Sequence, residues 1–124
     1  MYKYILFLLF FMGSNVLADT CPAPSEIKAR NIPDDYDWSV AENISLEQLI
    51  NVEILFSVRI KNKNEYIACY YRNSDRVIRL DGLPLGKDCR VYHESNNWQV
   101  TDNHEWFCDD EDKYSCLYKK NCSD

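Results

Sequence analysis

The sequence predicts a mainly β protein: a small antiparallel meander or barrel-like sheet with one short helix, stapled by disulfides, with an α+β arrangement as the alternative. Apolar and polar residues alternate from Val52 to Ile60, which is the period of a strand with one buried face. Further apolar segments recur at intervals of roughly ten residues between polar turns, as in small all-β domains. The six cysteines are an even number, which favours three disulfides in an exported domain. They are Cys21, Cys69, Cys89, Cys108, Cys116 and Cys122, and the sequence alone does not choose among their pairings.

The N-terminal residues have the layout of a secretory signal peptide. Lys3 precedes an apolar run over residues 4–12, and the small side chains of Val16 and Ala18 stand where signal peptidase requires them. As a helix this run reaches only about 14 Å, half of a hydrocarbon core of about 30 Å. We therefore expect residues 1–18 to be removed, which leaves a single domain over residues 19–124. The expected location is periplasmic or secreted, without a membrane span.

The opening of the predicted mature chain is mostly irregular in pattern. Residues 19–43 contain proline-rich and turn-forming stretches, with one helical turn expected at 25–30. Tyr36 and Trp38 then place two large side chains on one side of an extended segment.

A short helix is expected over residues 44–51. Ser45 and Gln48 fit a capping box, in which each side chain bonds the backbone of the other residue. Ile44 and Leu49 fit the hydrophobic staple that brackets such a start. The helix is expected to be short because the strand period begins immediately after it.

The clearest strand prediction follows this helix. Its apolar side chains are expected on one buried face: Val52, Ile54, Phe56, Val58 and Ile60. A polar turn then leads into a return strand at 66–72, and a second turn leads into a strand at 76–80. Asp81 and Gly82 are expected to open a loop that runs to Gly86.

Four shorter strands are expected in the last third of the chain, at 89–93, 98–101, 106–108 and 114–118. The last two are predicted to pair across an acidic turn, which makes Cys108 and Cys116 the first candidates for a cross-strand disulfide. Trp98 and Trp106 are assigned to the core, because small β domains bury large area through tryptophan.

Charge is distributed unevenly along the chain. The formal net charge is −6, yet residues 59–90 carry an excess of basic side chains between two acidic segments. A net negative field repels phosphate and no basic run is dense, so nucleic acid is not expected as a partner. The purely structural interpretation of the basic segment is that its side chains pair with acidic neighbours across the sheet.

Catalytic motifs are weak throughout. His93 and His104 are the only histidines, and two imidazoles with a lysine cleave RNA only where they lie together. Carboxylates at 102–112, densest at Asp109–Asp112, are candidates for glycoside hydrolysis or for calcium. Zinc and calcium spacings, nucleophile motifs and phosphate-binding loops are missing, so no metal, cofactor or catalytic residue is assigned. A small secreted hydrolase, either a nuclease or a glycosidase, is the alternative function.

Binding is the favoured function. Aromatic and arginine side chains carry much of the energy of protein interfaces. Adjacent tyrosines on a strand face opposite sides, so one of Tyr70 and Tyr71 is expected on the surface. Trp38 is either a surface anchor or a core residue. The predicted contact surface, for a protein or an envelope glycan, consists of Trp38, Tyr70, Tyr71, Arg72, Arg76 and Arg79.

The start of the predicted mature chain also resembles a protein family. The stretch Cys-Pro-Ala-Pro-Ser-Glu-Ile-Lys at 21–28, with Tyr36, Trp38 and the later Cys69-Tyr70-Tyr71, is similar to short exported cysteine-containing proteins of unknown function from Legionella-like and other gammaproteobacteria. The resemblance covers these segments only. It implies a location in the periplasm or outside the cell, and it supplies no enzymatic residues.

Overall fold

The computed structural model describes residues 18–74 and 76–123. The predicted signal peptide therefore lies outside the described residues, except for Ala18. The fold is mainly β, as the sequence predicts, with a six-stranded antiparallel sheet, a two-stranded sheet and short helices. Within the described residues, no helix has the length and apolar character needed to cross a membrane.

The elements are short and follow one another closely. The helices of the described residues are α1 Pro24–Lys28, α2 Leu46–Ile50 and a 3₁₀ helix at Lys113–Ser115. The strands are β1 Tyr36–Ser39, β2 Ile54–Lys61, β3 Tyr66–Asn73, β4 Arg76–Pro84, β5 Arg90–His93, β6 Gln99–Val100, β7 Trp106–Cys108 and β8 Tyr118–Asn121. The large sheet has the order β1-β4-β3-β2-β7-β6, and β5 pairs with β8.

Helix α2 begins where the sequence places it. The backbone N–H of Gln48 donates to Ser45 Oγ at 3.1 Å, and the N–H of Ser45 donates to Gln48 Oε1 at 2.8 Å. These two bonds close the predicted capping box. Ile44 and Leu49 pack against the core, so the predicted staple residues both lie on the buried side of this helix.

The face assignment of β2 is wrong at its beginning. The pairing of β2 with β3 shifts between Leu55 and Ser57, which marks a β-bulge at Phe56. Leu55 is therefore buried, whereas Ile54 is 36% exposed and Phe56 lies half-buried on the other face. An extra residue reverses the alternation on one side of the bulge, so a strict period of two misplaces these side chains.

Long-range strand pairing also differs from the expected order. The segment around Tyr36 is the edge strand β1, and β4 continues to Pro84 to pair with it where a loop was expected. Strand β7 pairs with β2 and β6 and not with the end of the chain. Residues 114–118 contain most of the 3₁₀ helix and the start of β8, which pairs with β5.

Three disulfides close, and their number confirms the prediction: Cys21–Cys69, Cys89–Cys122 and Cys108–Cys116. The last bridge is the pair first suggested by the sequence. Disulfides persist in oxidising compartments, so these bridges indicate an extracytoplasmic environment.

The two faces of the six-stranded sheet differ. One face packs against α1, the flanks of α2 and the two-stranded sheet through a core that includes Ile27, Val58, Tyr71 and Tyr118. Trp98 is buried in this core and Trp106 packs against it, as the sequence predicts. On the other face the side chains are half-buried or exposed, apart from the small Ser57 and Ala68. That second face is open to solvent in the described residues.

Candidate functional site

The candidate site is this uncovered sheet face, which we call the open face. Strand pairing aligns its side chains in rows, for example Tyr70 on β3 opposite Arg79 on β4 and Arg59 on β2 opposite Phe107 on β7. Alternation on each strand then fixes which residues share the face. Its larger members are Phe56, Arg59, Tyr66, Tyr70, Arg72, Val77, Arg79, Leu83 and Phe107.

Arginines and aromatic rings alternate across the open face. The guanidinium carbon of Arg59 lies 5.5 Å from the ring centre of Tyr70 and 5.8 Å from that of Phe107. Cations at such distances are attracted by the ring quadrupole. The contacts link strands β7, β2 and β3 into one continuous surface.

Two further arginines extend this pattern. Arg72 lies 4.4 Å from the ring centre of Phe56, and Arg79 lies 5.9 Å from those of both Tyr66 and Tyr70. We call the full set the cation–aromatic array; it consists of Phe56, Arg59, Tyr66, Tyr70, Arg72, Arg79 and Phe107.

Arg79 is held in place by its neighbours. Its Nε donates to Asp81 Oδ1 at 2.7 Å, and its Nη2 donates to Asp81 Oδ2 and to Tyr66 Oη at 3.1 Å each. The hydrogen bonds to Asp81 raise the pKa of Arg79 above its ordinary value. A bidentate pair fixes both the position and the plane of a guanidinium, so Arg79 is an ordered part of the array.

The bulge in β2 builds a cleft beside the array. It places Phe56 and Ser57 together on the open face, and the ring centres of Phe56 and Tyr70 are 6.4 Å apart. A cleft of about 660 Å³ lies over them, lined by Phe56, Ser57, Arg59, Tyr70, Arg72, Asp109, Asp110 and Glu111. Bulges often redirect side chains at functional sites, and this one supplies the cleft floor.

Opposite charges face this cleft without neutralising each other. Ser57 Oγ donates to Asp109 Oδ1 at 2.6 Å, which holds the start of the acidic wall in place. Among the described residues, Arg72 forms no ion pair, and the carboxylate nearest to Arg59 is that of Glu105 at 3.9 Å. The cleft therefore offers both hydrogen-bond donors and acceptors to a ligand.

Three of the six residues predicted for binding lie on the open face. These are Tyr70, Arg72 and Arg79, and all three belong to the array. Arg76 lies at the start of β4 and lines a second cleft of about 580 Å³, beside the loop before α2. The expectation that one of the two adjacent tyrosines faces outward is met by Tyr70.

The other two lie on the covered face, so the six do not form one surface. Tyr71 has no exposed area, and its hydroxyl donates to the backbone oxygen of Pro22 at 2.6 Å. Burial raises the pKa of Tyr71 well above its ordinary value. Trp38 is half-buried beside Gly82, and its Nε1 donates to the backbone oxygen of Pro33 at 2.7 Å. Both residues are corrections to the predicted contact surface.

The array residues that the sequence did not identify are Phe56, Arg59, Tyr66 and Phe107. Arg59 and Tyr66 carry a usable signal, since each occupies a polar-face position of an alternating strand. Phe56 carries none, because only the bulge turns it outward. Phe107 becomes recognisable only once β7 is paired with β2.

The two histidines lie on different elements of the fold. His93 lies on β5 and stacks on Trp106, with ring centres 3.9 Å apart. His104 is exposed in the turn between β6 and β7. In the described part of the chain, neither histidine bonds a carboxylate, and no group of three or more His, Cys, Asp or Glu side chains is arranged to hold a metal ion.

The acidic run forms a hydrogen-bonded turn. Asp110 Oδ1 accepts from the backbone N–H of Asp112 at 2.9 Å, and Asp112 Oδ1 accepts from that of Tyr114 at 3.0 Å. Asp112 thereby caps the 3₁₀ helix, while Asp109, Asp110 and Glu111 face the cleft.

Compared with known proteins, the chain matches no family model, no curated protein and no solved structure. The resemblance to short exported proteins stays a prediction, and the function is inferred from the geometry of the open face.

Proposed function

We propose that this chain is an exported, non-enzymatic binding protein, periplasmic or secreted, whose open face binds the surface of another protein. The observation that carries the proposal is the cation–aromatic array. Three arginines and four aromatic rings form one surface over four neighbouring strands, on a sheet face that no described element covers.

The composition of this face is that of an interface. An antiparallel sheet normally turns polar side chains to water on its uncovered side. Here Val77 and Leu83 are 56% and 46% exposed beside the array. Val77 lies beside Arg72 and Leu83 lies near the other end of β4, so the anchors of this face are its tyrosines and arginines, which are among the residue types that carry most interface energy.

The array is also pre-ordered. Arg79 is fixed by Asp81, and Arg59 and Arg72 rest on aromatic rings. Fixing a long side chain on binding costs about 0.5–1.5 kcal/mol, so groups that are already ordered lose less on association.

The charges define the chemistry of the partner. A matching surface presents carboxylates to Arg59 and Arg72 and cations to Asp110 and Glu111. Complementary charge of this kind sets orientation and discriminates against other partners more than it adds affinity.

A glycan is the second candidate ligand, and the cleft favours it. Its volume of about 660 Å³ lies within the range of small-molecule sites. Arginine only donates hydrogen bonds and a carboxylate only accepts them, whereas a sugar hydroxyl does both. The rings of Phe56 and Tyr70, tilted by 60° to each other, add apolar contacts for a sugar in this cleft.

Immobilised protein tests the proposal. The wild-type chain is exposed to envelope and host proteins beside Tyr70→Ala, Arg72→Ala and the control Arg90→Ala, which lies on the two-stranded sheet. Loss of an anchor costs about 2 kcal/mol or more, equivalent to about a 30-fold loss of affinity. We expect Tyr70→Ala and Arg72→Ala to release a protein that the wild type and the control retain, while their melting curves show that both variants are folded at the assay temperature.

Other outcomes are distinguishable. Equal retention by all four proteins excludes the open face. Binding of purified glycans, lost in the same two variants, favours the second candidate. Cleavage of RNA or glycan by the purified protein, abolished by His93→Ala or His104→Ala, overturns the non-enzymatic assignment.

A further inference from the structure

We infer that the protein surface bound by the open face is the same face of a second copy of this chain. The inference rests on the proposed function of the open face as a protein-binding surface. It starts from the placement of charge: the basic and acidic groups of the cleft lie on opposite sides of strand β2.

Strand register places these groups at the same end of the sheet. Arg72 on β3 is level with Ile54 of β2. Cys108 of β7 is level with Val58, and because β7 runs antiparallel to β2, the chain after it heads toward the Ile54 end. Asp110 and Glu111 follow on that course and line the same cleft as Arg72.

This arrangement is self-complementary. Strand β2 lies between β3 and β7, each one strand spacing of about 4.8 Å away. A twofold axis that runs along β2, between two stacked sheets, exchanges the β3 side with the β7 side and keeps every level along the strand. Arg72 of each copy then meets Asp110 and Glu111 of the other, as an isologous interface requires.

The centre of the contact is aromatic. Phe56 and Tyr70 lie on and next to β2, so the rings of both copies meet near the axis. Two sheets packed face to face are about 10 Å apart. Facing side chains of this size fill such a gap, and the result is a four-layer molecule with two sheets at its centre.

The available area fits a modest dimer. The three strands of eight or nine residues extend about 27 Å and are together about 14 Å wide, and the three residues of β7 add a short edge, which gives a flat area of about 440 Å² per copy. Protruding side chains and the flanking loops add accessible area to this flat value, which moves the total toward the roughly 800 Å² per partner of a standard interface.

Two repulsive effects oppose this contact. The formal net charge is −6 for the full chain and −7 once residues 1–18, which include Lys3, are removed. At physiological salt, however, charges more than about 8 Å apart are largely screened, while contacts across the interface are not. The two Arg59 groups approach each other near the axis. Their repulsion is reduced because each Arg59 has the carboxylate of Glu105 at 3.9 Å and lies over the rings of Tyr70 and Phe107 in its own copy.

Charge reversal tests the inference with the protein itself as the probe. Sedimentation equilibrium is measured for the wild type, Arg72→Glu, the double variant Asp110→Arg/Glu111→Arg, and Arg90→Glu as the control. We expect the wild type and the control to dimerise alike and each reversed variant to dimerise at least about tenfold more weakly. The equimolar mixture of the two reversed variants is expected to form a heterodimer within about threefold of the wild-type Kd, since both contacts are again between opposite charges.

Three results overturn the inference: a wild-type chain that is monomeric up to about 0.5 mM, a dimer that neither reversal weakens, or a mixture that does not recover. Melting temperatures show whether each variant is folded. A monomeric wild type that still captures a different protein through Tyr70 and Arg72 leaves the proposed function standing, and loss of both activities removes both.

Discussion

Replacing Trp38 with alanine separates a core role for this residue from a role in binding. In the structure the indole ring packs over Gly82 so closely that a Cβ placed on that glycine would lie 2.6 Å from the ring. The ring centre of Tyr36 is 5.5 Å away, and the indole N–H donates to Pro33. All of these contacts lie on the covered side of the sheet.

The expected cost follows from these contacts. A fully buried tryptophan loses about 3–5 kcal/mol on truncation to alanine, and a half-buried ring loses about half of that. The hydrogen bond to Pro33 contributes about 1 kcal/mol more. The free energy of unfolding should therefore fall by roughly 2–4 kcal/mol, and Tm should fall by about 10 °C or more.

Urea unfolding followed by far-UV circular dichroism measures this loss, and two variants control it. Trp38→Phe keeps a ring over Gly82 and should lose only about 1 kcal/mol. Val77→Ala removes an exposed open-face side chain and should change stability by less than about 0.5 kcal/mol. Unchanged stability in Trp38→Ala, together with lost dimerisation or lost partner binding, would refute the core role and return Trp38 to the contact surface.

Three further predictions concern stability. Tyr71→Phe leaves the buried oxygen of Pro22 without its donor, so it should lower the free energy of unfolding by about 1–3 kcal/mol; an unchanged urea midpoint would contradict that role. Replacing Cys21 and Cys69 by alanine opens a loop of 48 residues, whereas replacing Cys108 and Cys116 opens a loop of 8 residues. Loop entropy predicts that the free energy of unfolding falls by about 4 kcal/mol in the first variant and by about 2.5 kcal/mol in the second. The reverse order in urea unfolding would rule out that account. For Glu26, burial alone would raise the carboxyl pKa, but the Ala23 N–H and the Lys113 ammonium together lower it below the ordinary 4.5. The stabilisation from the Glu26 carboxylate is therefore complete above pH 4.5 and is lost as the pH falls through the lowered pKa. Glu26→Gln should make Tm decline less steeply with acid than it does in the wild type. A parallel decline of Tm in both proteins would disprove the contribution.

The sequence determines the class of fold because local periodicity and covalent chemistry express it directly. Alternation marks the central strands, the Ser45–Gln48 capping box marks α2, and the even number of cysteines marks three bridges. The Cys108–Cys116 bridge was also suggested, because its cysteines flank the acidic turn, although the strand pairing expected across that turn does not form. These features depend on neighbours in the chain.

The open face illustrates where local pattern fails. Tyr70, Arg72 and Arg79 were identified from residue type and alternation, which is enough when a strand is regular. Phe56 was assigned to the core because the bulge that turns it outward has no sequence signal of its own. Trp38 was open to both roles, and its packing over Gly82 exists only because β1 pairs with β4.

By itself the sequence determined the central strands, the cap of α2, the disulfide count and the excess of basic side chains in its middle. Only the tertiary structure decided which strands are neighbours, that β7 lies beside β2, and that an acidic segment faces Arg72 across one cleft. The physical reason is that alternation fixes the faces of a strand but not its partner. Partner choice is made by packing between residues that are distant in the chain, and the charge pattern of the open face depends on that choice.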